Sequence, residues 1–257
     1  MKASRLIFTL LLASSVAVVQ LAAQQTNADQ KPIEDVKAKA EAGDAESEVE
    51  LGLRYEQGKG VAQDQVEAVK WYRKAAEQNL AAAQYNLGIR YEHGEGVAKD
   101  QVEAVKWYRK AAEQNFAAAQ YNLGACFYNG EGVAKDQVEA VKWYRKAAEQ
   151  NLALAQYILG FCYADGEGVA KDQVEAVKWY RKAAEQNFAA AQSNLGICYE
   201  YGRGVAEDSV EAYKWLLLAA RQGDEGAKKY MTLMESEMLT PEQIAQGQKR
   251  AREFKPR

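Results

Sequence analysis

The chain has 257 residues, 48% hydrophobic and 27% charged, with 19 glycines, three prolines, three cysteines and one histidine. Its net charge of −3 lacks the basic surplus that a general nucleic-acid binder uses to neutralise phosphates. Composition excludes a disordered, collagen-like or polytopic membrane protein, and the lone His93 with three cysteines excludes a multi-histidine metal site, a four-cysteine zinc ribbon and a dense disulfide framework.

The N-terminus reads differently from the rest. Lys2 and Arg5 precede an apolar or small run from Leu6 to Val19, and Leu21-Ala22-Ala23 leads into the polar Gln24-Gln25-Thr26-Asn27. This is the three-part pattern of a secretory signal peptide over residues 1–23, with cleavage after Ala23. The apolar run of about fourteen residues is short of the roughly 20 that span a bilayer, and no cysteine follows it to carry a lipid. Loss of Lys2 and Arg5 takes the net charge from −3 to −5. The expectation is a periplasmic or secreted bacterial protein with no membrane insertion after cleavage.

Residues 24–44 are expected to form an N-terminal cap, because 32–43 look like half a second helix with charge in place of tryptophan. From there a 36-residue period governs the chain. Trp71, Trp107, Trp143, Trp179 and Trp215 are all 36 apart. VEAVKWYRKAAEQN starts at Val66, Val102, Val138 and Val174, with a diverged copy from Val210. L-G-x-x-[YF]-x-x-G-x-G-V starts at Leu51, Leu87, Leu123, Leu159 and Leu195.

Each period reads as two helices. The first carries Ala83, Leu87, Gly88 and Tyr91 on one face and stops at Gly94, before the turn residues Gly96 and Val97. Gly88 and its equivalents sit mid-helix at a cost of about 1 kcal/mol each, so a neighbouring helix or the indole is expected to approach the backbone there. In the second helix Ala68, Trp71, Tyr72, Ala75 and Ala76 form one apolar stripe. Its start is marked by D-x-x-E, Asp64 to Glu67 and at each 36-residue step, where Asp can cap and Glu can reach back. Its end is marked by Asn79, Asn115, Asn151, Asn187 and Gly223, residues that tolerate the left-handed conformation.

Neither helix buries its stripe alone, so stacked pairs are required. The residues A-x-x-x-L-G-x-x-Y-x-x-G-x-G-V and A-x-x-W-Y-x-K-A-A resemble the Sel-one-like repeat, a relative of the tetratricopeptide repeat. The resemblance spans 45–222 in five repeats. It implies an all-α, right-handed superhelical solenoid whose first helices line a concave face. Residues 223–257 are expected to cap it: 224–238 look like a further first helix, and Thr240-Pro241-Glu242-Gln243 starts a polar one.

Signs of chemistry are few. The repeated G-x-G follows no strand and lacks a third glycine, so it reads as a helix stop. Cysteine-rich members of the resembled family are associated with β-lactam hydrolysis, but Ser47, Ser193, Ser209 and Ser236 have no lysine three residues on, as S-x-x-K requires. No enzyme, cofactor or metal is expected. K-x-x-R-K on each second helix (Lys70, Arg73, Lys74 in the first) reads as a solvated stripe balanced by Glu67 and Glu77, or as a site for an anionic envelope polymer.

The copies differ mostly in the first helix. One column reads Glu50, Asn86, Asn122, Ile158, Asn194; four on, Arg54, Arg90, Cys126, Cys162, Cys198; three further, Gln57, His93, Asn129, Asp165, Tyr201. These share one helix face. If it borders the concave groove, Asn86, Arg90, His93, Asn122, Asn129, Asp165, Asn194 and Tyr201 are candidate contacts for a peptide or protein, since a carboxamide both donates and accepts. The alternative is drift at exposed positions. On the binding reading the chain is a monomeric, exported adaptor, and Asn86, Asn122 and Asn194 are dispensable to the fold. The alternatives are a weak hydrolase or a polymer binder. Cys126, Cys162 and Cys198 lie one repeat apart, too far for disulfides, and are expected to be free thiols serving as small apolar side chains.

Overall fold

The structure is a computed structural model that describes residues 32–256. The signal-peptide reading of 1–23 and the start of the N-terminal cap lie outside the described residues. Among these the regular structure is entirely helical, and it divides into two compact units, one ending at Lys135 and one starting at Asp136.

The first unit contains α1 (Ile33–Glu41), α2 (Ala45–Gln57), α3 (Gln65–Glu77), α4 (Ala81–His93), α5 (Gln101–Glu113) and α6 (Ala117–Asn129). Here α2 pairs with α3 and α4 with α5, while α3 packs on α4 and α5 on α6, so helix pairs stack in series. The second unit contains α7 (Gln137–Glu149), α8 (Ala153–Asp165), α9 (Gln173–Glu185), α10 (Ala189–Glu200), α11 (Ser209–Arg221), α12 (Glu225–Leu233), a π-helical turn (Met234–Met238) and α13 (Pro241–Glu253). It repeats the same scheme through α8 with α9 and α10 with α11.

The caps act largely as the spacing predicts. The Asp64 carboxylate accepts from the backbone N–H groups of Val66 (2.9 Å) and Glu67 (3.0 Å), satisfying two of the orphan donors of α3. The expected reach-back of Glu67 gives way to an ion pair with Lys70, which recurs at each step. Reciprocal capping occurs instead at α13, between Thr240 and Gln243. Asn79, Asn115, Asn151 and Asn187 all sit at φ 64–66°. Leu80 N–H then reaches the Ala75 carbonyl and Asn79 N–H that of Ala76, so one left-handed residue reverses the chain between helices.

The mid-helix glycine has a packing cause, but the approaching ring is a tyrosine and not the indole. A Cβ on Gly88 would lie 2.6 Å from Tyr108 Cε1, and one on Gly52 2.7 Å from Tyr72 Cε1. Those tyrosines have no exposed surface, whereas Trp71 and Trp107 beside them are only half-buried. Between repeats runs a ladder of carboxamides that the sequence reading missed. Gln84, 1% exposed, donates to the Ala76 carbonyl and to Asn79 Oδ1, and Gln114 donates to the oxygens of Gln84 (2.7 Å) and Asn79 (3.2 Å). Gln156 with Gln186, and Gln192 with Gln222, repeat this in the second unit. In the first repeat Glu48 takes the glutamine's place and accepts from Gln78 at 2.8 Å, and burial pushes its carboxyl pKa up.

Candidate binding surface

The three variable columns on the first helices differ in burial. The column nearest the helix centre is largely enclosed: Asn86 is buried, Ile158 is buried, and Asn122 and Asn194 are half-buried. Asn122 lies beside Tyr85 and Tyr108, and Asn194 beside Tyr157 and Tyr180, where the carboxamide offsets part of the rise that burial imposes on the phenol pKa. Asn122→Ala, which removes a half-buried polar neighbour of Tyr85 and Tyr108, should lose about 1 kcal/mol in urea denaturation; an unchanged midpoint would leave Asn122 with a surface role alone.

The second column is committed to internal contacts. The Arg54 guanidinium meets Glu50 at 2.7 Å, and Arg90 reaches Glu56 of the preceding repeat at 3.5 Å as well as Glu95 in its own loop. Where the column turns to cysteine the charge network stops. Cys126, Cys162 and Cys198 are free and buried. Burial is the chief cause that pushes the first two thiols up to about 12 and Cys198 to about 11. An acid whose folded pKa is raised contributes stability that is present below its unfolded value, near 9, and lost as pH climbs through the folded value. The melting temperature should thus fall between pH 9 and 12. At neutral pH iodoacetamide should label all three thiols only as fast as their helices open; fast stoichiometric labelling of the native chain would contradict this burial.

The third column is the open one. His93, Asn129, Asp165 and Tyr201 are all exposed, at or just past the C-terminal ends of α4, α6, α8 and α10. Tyr201 accepts from the Tyr230 hydroxyl at 2.8 Å and has the Arg203 guanidinium 4.9 Å from its ring centre. The eight candidate residues are thus not one surface: Asn86, Arg90, Asn122 and Asn194 are enclosed or bonded within the protein, while the other four face solvent.

The basic stripe on the second helices is partnered too. Lys70 pairs with Glu67, Lys74 lies 3.9 Å over the Trp71 ring, and Arg73 donates to the Tyr91 hydroxyl at 2.9 Å, not to Glu77. Arg181 does the same with Tyr199 at 2.8 Å. Among the described residues no cluster of His, Cys, Asp or Glu is placed to hold a metal ion, and no helix is long and apolar enough to cross a membrane.

These features coincide with a known family. The Sel1 repeat model matches residues 45–80, 81–116, 117–152, 153–188 and 189–224 in unbroken succession. The chain belongs to the Sel1 repeat family. Each family repeat contains one first helix, the G-x-G-V loop and one second helix. A Sel1 repeat protein from Oxalobacter formigenes is similar at 38% identity and a TM-score of 0.72, over 83% of this chain and 89% of that one. The crystal structure of c5321, a protective antigen of uropathogenic Escherichia coli strains with the same fold, is similar at 32% identity and a TM-score of 0.72. That likeness covers 87% of this chain and 56% of c5321, so the chain spans little more than half of that relative. Among curated proteins there is no match. Sel1 repeat proteins are in general non-enzymatic scaffolds for protein–protein interaction.

Proposed function

We propose that this Sel1 repeat protein is an exported scaffold that binds a protein or peptide partner through the exposed ends of its first helices. The observation that carries the reading is the contrast within one helix face. Positions deeper on it are enclosed or paired within the protein, while the exposed position of the second to fifth repeats changes identity, His93, Asn129, Asp165, Tyr201, on an otherwise repeating frame. A constant framework with variable polar and aromatic tips suits recognition of a partner residue by residue. Asn86, Arg90, Asn122 and Asn194 then support the surface by fixing the helices that carry it. Neither the hydrolase nor the polymer-binding alternative gains support, since the cationic side chains of the first stripe already have acidic, aromatic or phenolic partners.

Export rests on the pattern of residues 1–23, and the description of c5321 as a protective antigen accords with it. Mass spectrometry of the protein from fractionated cells should find a mature N-terminus at Gln24 in the periplasm or medium; an intact Met1 in the cytoplasm would reject export. For binding, the mature chain is used as bait. His93→Ala with Asn129→Ala should weaken capture of the retained partner without lowering the melting temperature. Unchanged capture would move the contact surface elsewhere.

A further inference from the structure

The last residue of α10, Glu200, is 7% exposed, and its Oε2 is buried with no hydrogen-bond partner. A buried carboxylate short of donors is costly, and the earlier repeats show which donors are missing. Glu56, the equivalent residue of the first repeat, accepts from the Tyr72 hydroxyl at 2.6 Å and meets the Arg90 guanidinium at 3.5 Å. Glu92, in the second, accepts from the Tyr108 hydroxyl, while Cys126 stands where the arginine would be. At the fifth repeat both donors are gone. Leu216 occupies the tyrosine position and Met234 the arginine position. Both are fully buried, and with Ala212, Tyr213 and Ala227 they form the apolar cluster through which α12 and the π-helical turn pack on α11. Glu48, the other buried glutamate, keeps a donor in Gln78.

The cations around this junction are engaged elsewhere. Arg203, in the loop after α10, lies 4.9 Å from the Tyr201 ring centre. Arg181 of α9 donates to the Tyr199 hydroxyl, Lys214 of α11 pairs with Glu211, Lys228 of α12 with Glu225, and Arg250 of α13 with Asp208 and Glu211. Glu235 of the π-helical turn accepts from Tyr213. Burial is the chief cause that raises the Glu200 carboxyl pKa; Glu207 adds to the rise, and Ser209 at the start of α11 offsets part of it. Helix α12 sits within the field of the same carboxylate. Its Tyr230 donates to the Tyr201 hydroxyl at 2.8 Å, and the Tyr230 pKa is raised by burial, by Tyr201 and also by the Glu200 charge.

We infer that the junction between the fifth repeat and the C-terminal cap is tightened by acid: with Glu200 protonated, α12 and the π-helical turn hold to α11, and with Glu200 charged they open more readily and part Tyr230 from Tyr201. A carboxyl that titrates above its ordinary 4.5 in the folded chain contributes stability that is complete below that value and lost as pH rises through the folded pKa. The device belongs to the cap, and it stands or falls independently of the binding function proposed above.

Amide hydrogen exchange of the full chain, corrected for intrinsic rates, reads this opening locally. Protection of the α12 and π-helical-turn amides should fall severalfold from about pH 4 to about pH 7. In Glu200→Gln that fall should vanish, with protection at neutral pH above that of the unaltered chain and protection in α4 unchanged. Leu216→Tyr restores the phenol of the first two repeats. Its ring has the same glycine notch to enter, since a Cβ on Gly196 would lie 2.8 Å from Leu216 Cγ, much as one on Gly52 would lie 2.7 Å from Tyr72 Cε1. This variant should raise cap protection at neutral pH and reduce the fall; if it does not fold, Glu200→Gln alone decides. Level or rising protection across the range in the unaltered chain would overturn the proposal. So would a fall of the same size in Glu200→Gln, which would assign the effect to another carboxyl such as Glu207 or Glu235.

Discussion

Replacing Tyr108 with alanine is expected to cost about 3–5 kcal/mol, the range for deleting a large buried aromatic side chain. The ring has no exposed surface and lies against the bare backbone of Gly88. Its centre is 5.9 Å from that of Tyr85. The hydroxyl donates to the Glu92 carboxylate, and burial is the chief cause that raises its pKa well above the usual phenol range. Alanine would leave a cavity and deprive Glu92 of its partner. Tyr108→Phe keeps the ring and should lose only about 1–2 kcal/mol. The neighbouring Trp107→Ala, at a half-buried side chain whose indole N–H has no partner, should cost about 2 kcal/mol. Urea denaturation of the three variants ranks them; a tryptophan variant less stable than Tyr108→Ala would show that the indole and not the phenol anchors the helix pair.

Gly96→Ala should be nearly as damaging, at about 2–5 kcal/mol. Gly96 sits at φ +70°, where an L side chain costs roughly 1–2 kcal/mol. Its Cβ would also overlap the Gln65 carbonyl at the start of α3, adding roughly 1–3 kcal/mol of overpacking against backbone that cannot move aside. Gly132 against Gln101, Gly168 against Gln137 and Gly204 against Gln173 repeat the arrangement. Gly94, also left-handed at +75°, is the control, because a Cβ there would meet the Lys99 Cβ at 3.1 Å. Gly94→Asn should be tolerated far better than Gly96→Asn, since asparagine accepts the backbone angle at both sites but fits at only one. Equal melting temperatures for the two would mean that conformation alone, and not contact between repeats, explains the second glycine of G-x-G-V.

The amino-acid sequence by itself determined the architecture. A period of 36 residues with an apolar stripe, an aspartate at one helix start and a left-handed residue at its end leaves few folds other than stacked helix pairs. Asp64 and Asn79 act locally, within a few residues of their own backbone, so their roles were legible without neighbours. The cysteines were legible for a similar reason: one thiol per repeat restricts each to its own environment. What lies across helices was not. Periodicity places Trp107 and Tyr108 on the same stripe, but only packing decides which ring is sealed against Gly88. Gln84 and its equivalents stand in every copy from the second repeat on, yet a glutamine in a row of alanines gives no sign that it ties one repeat to the next. The variable face was visible as variation, while its division into enclosed Asn86, ion-paired Arg90 and exposed His93 was decided by the adjacent helices. Burial and pairing depend on what neighbouring segments cover, and a 36-residue period specifies the repeating unit without specifying what lies on it.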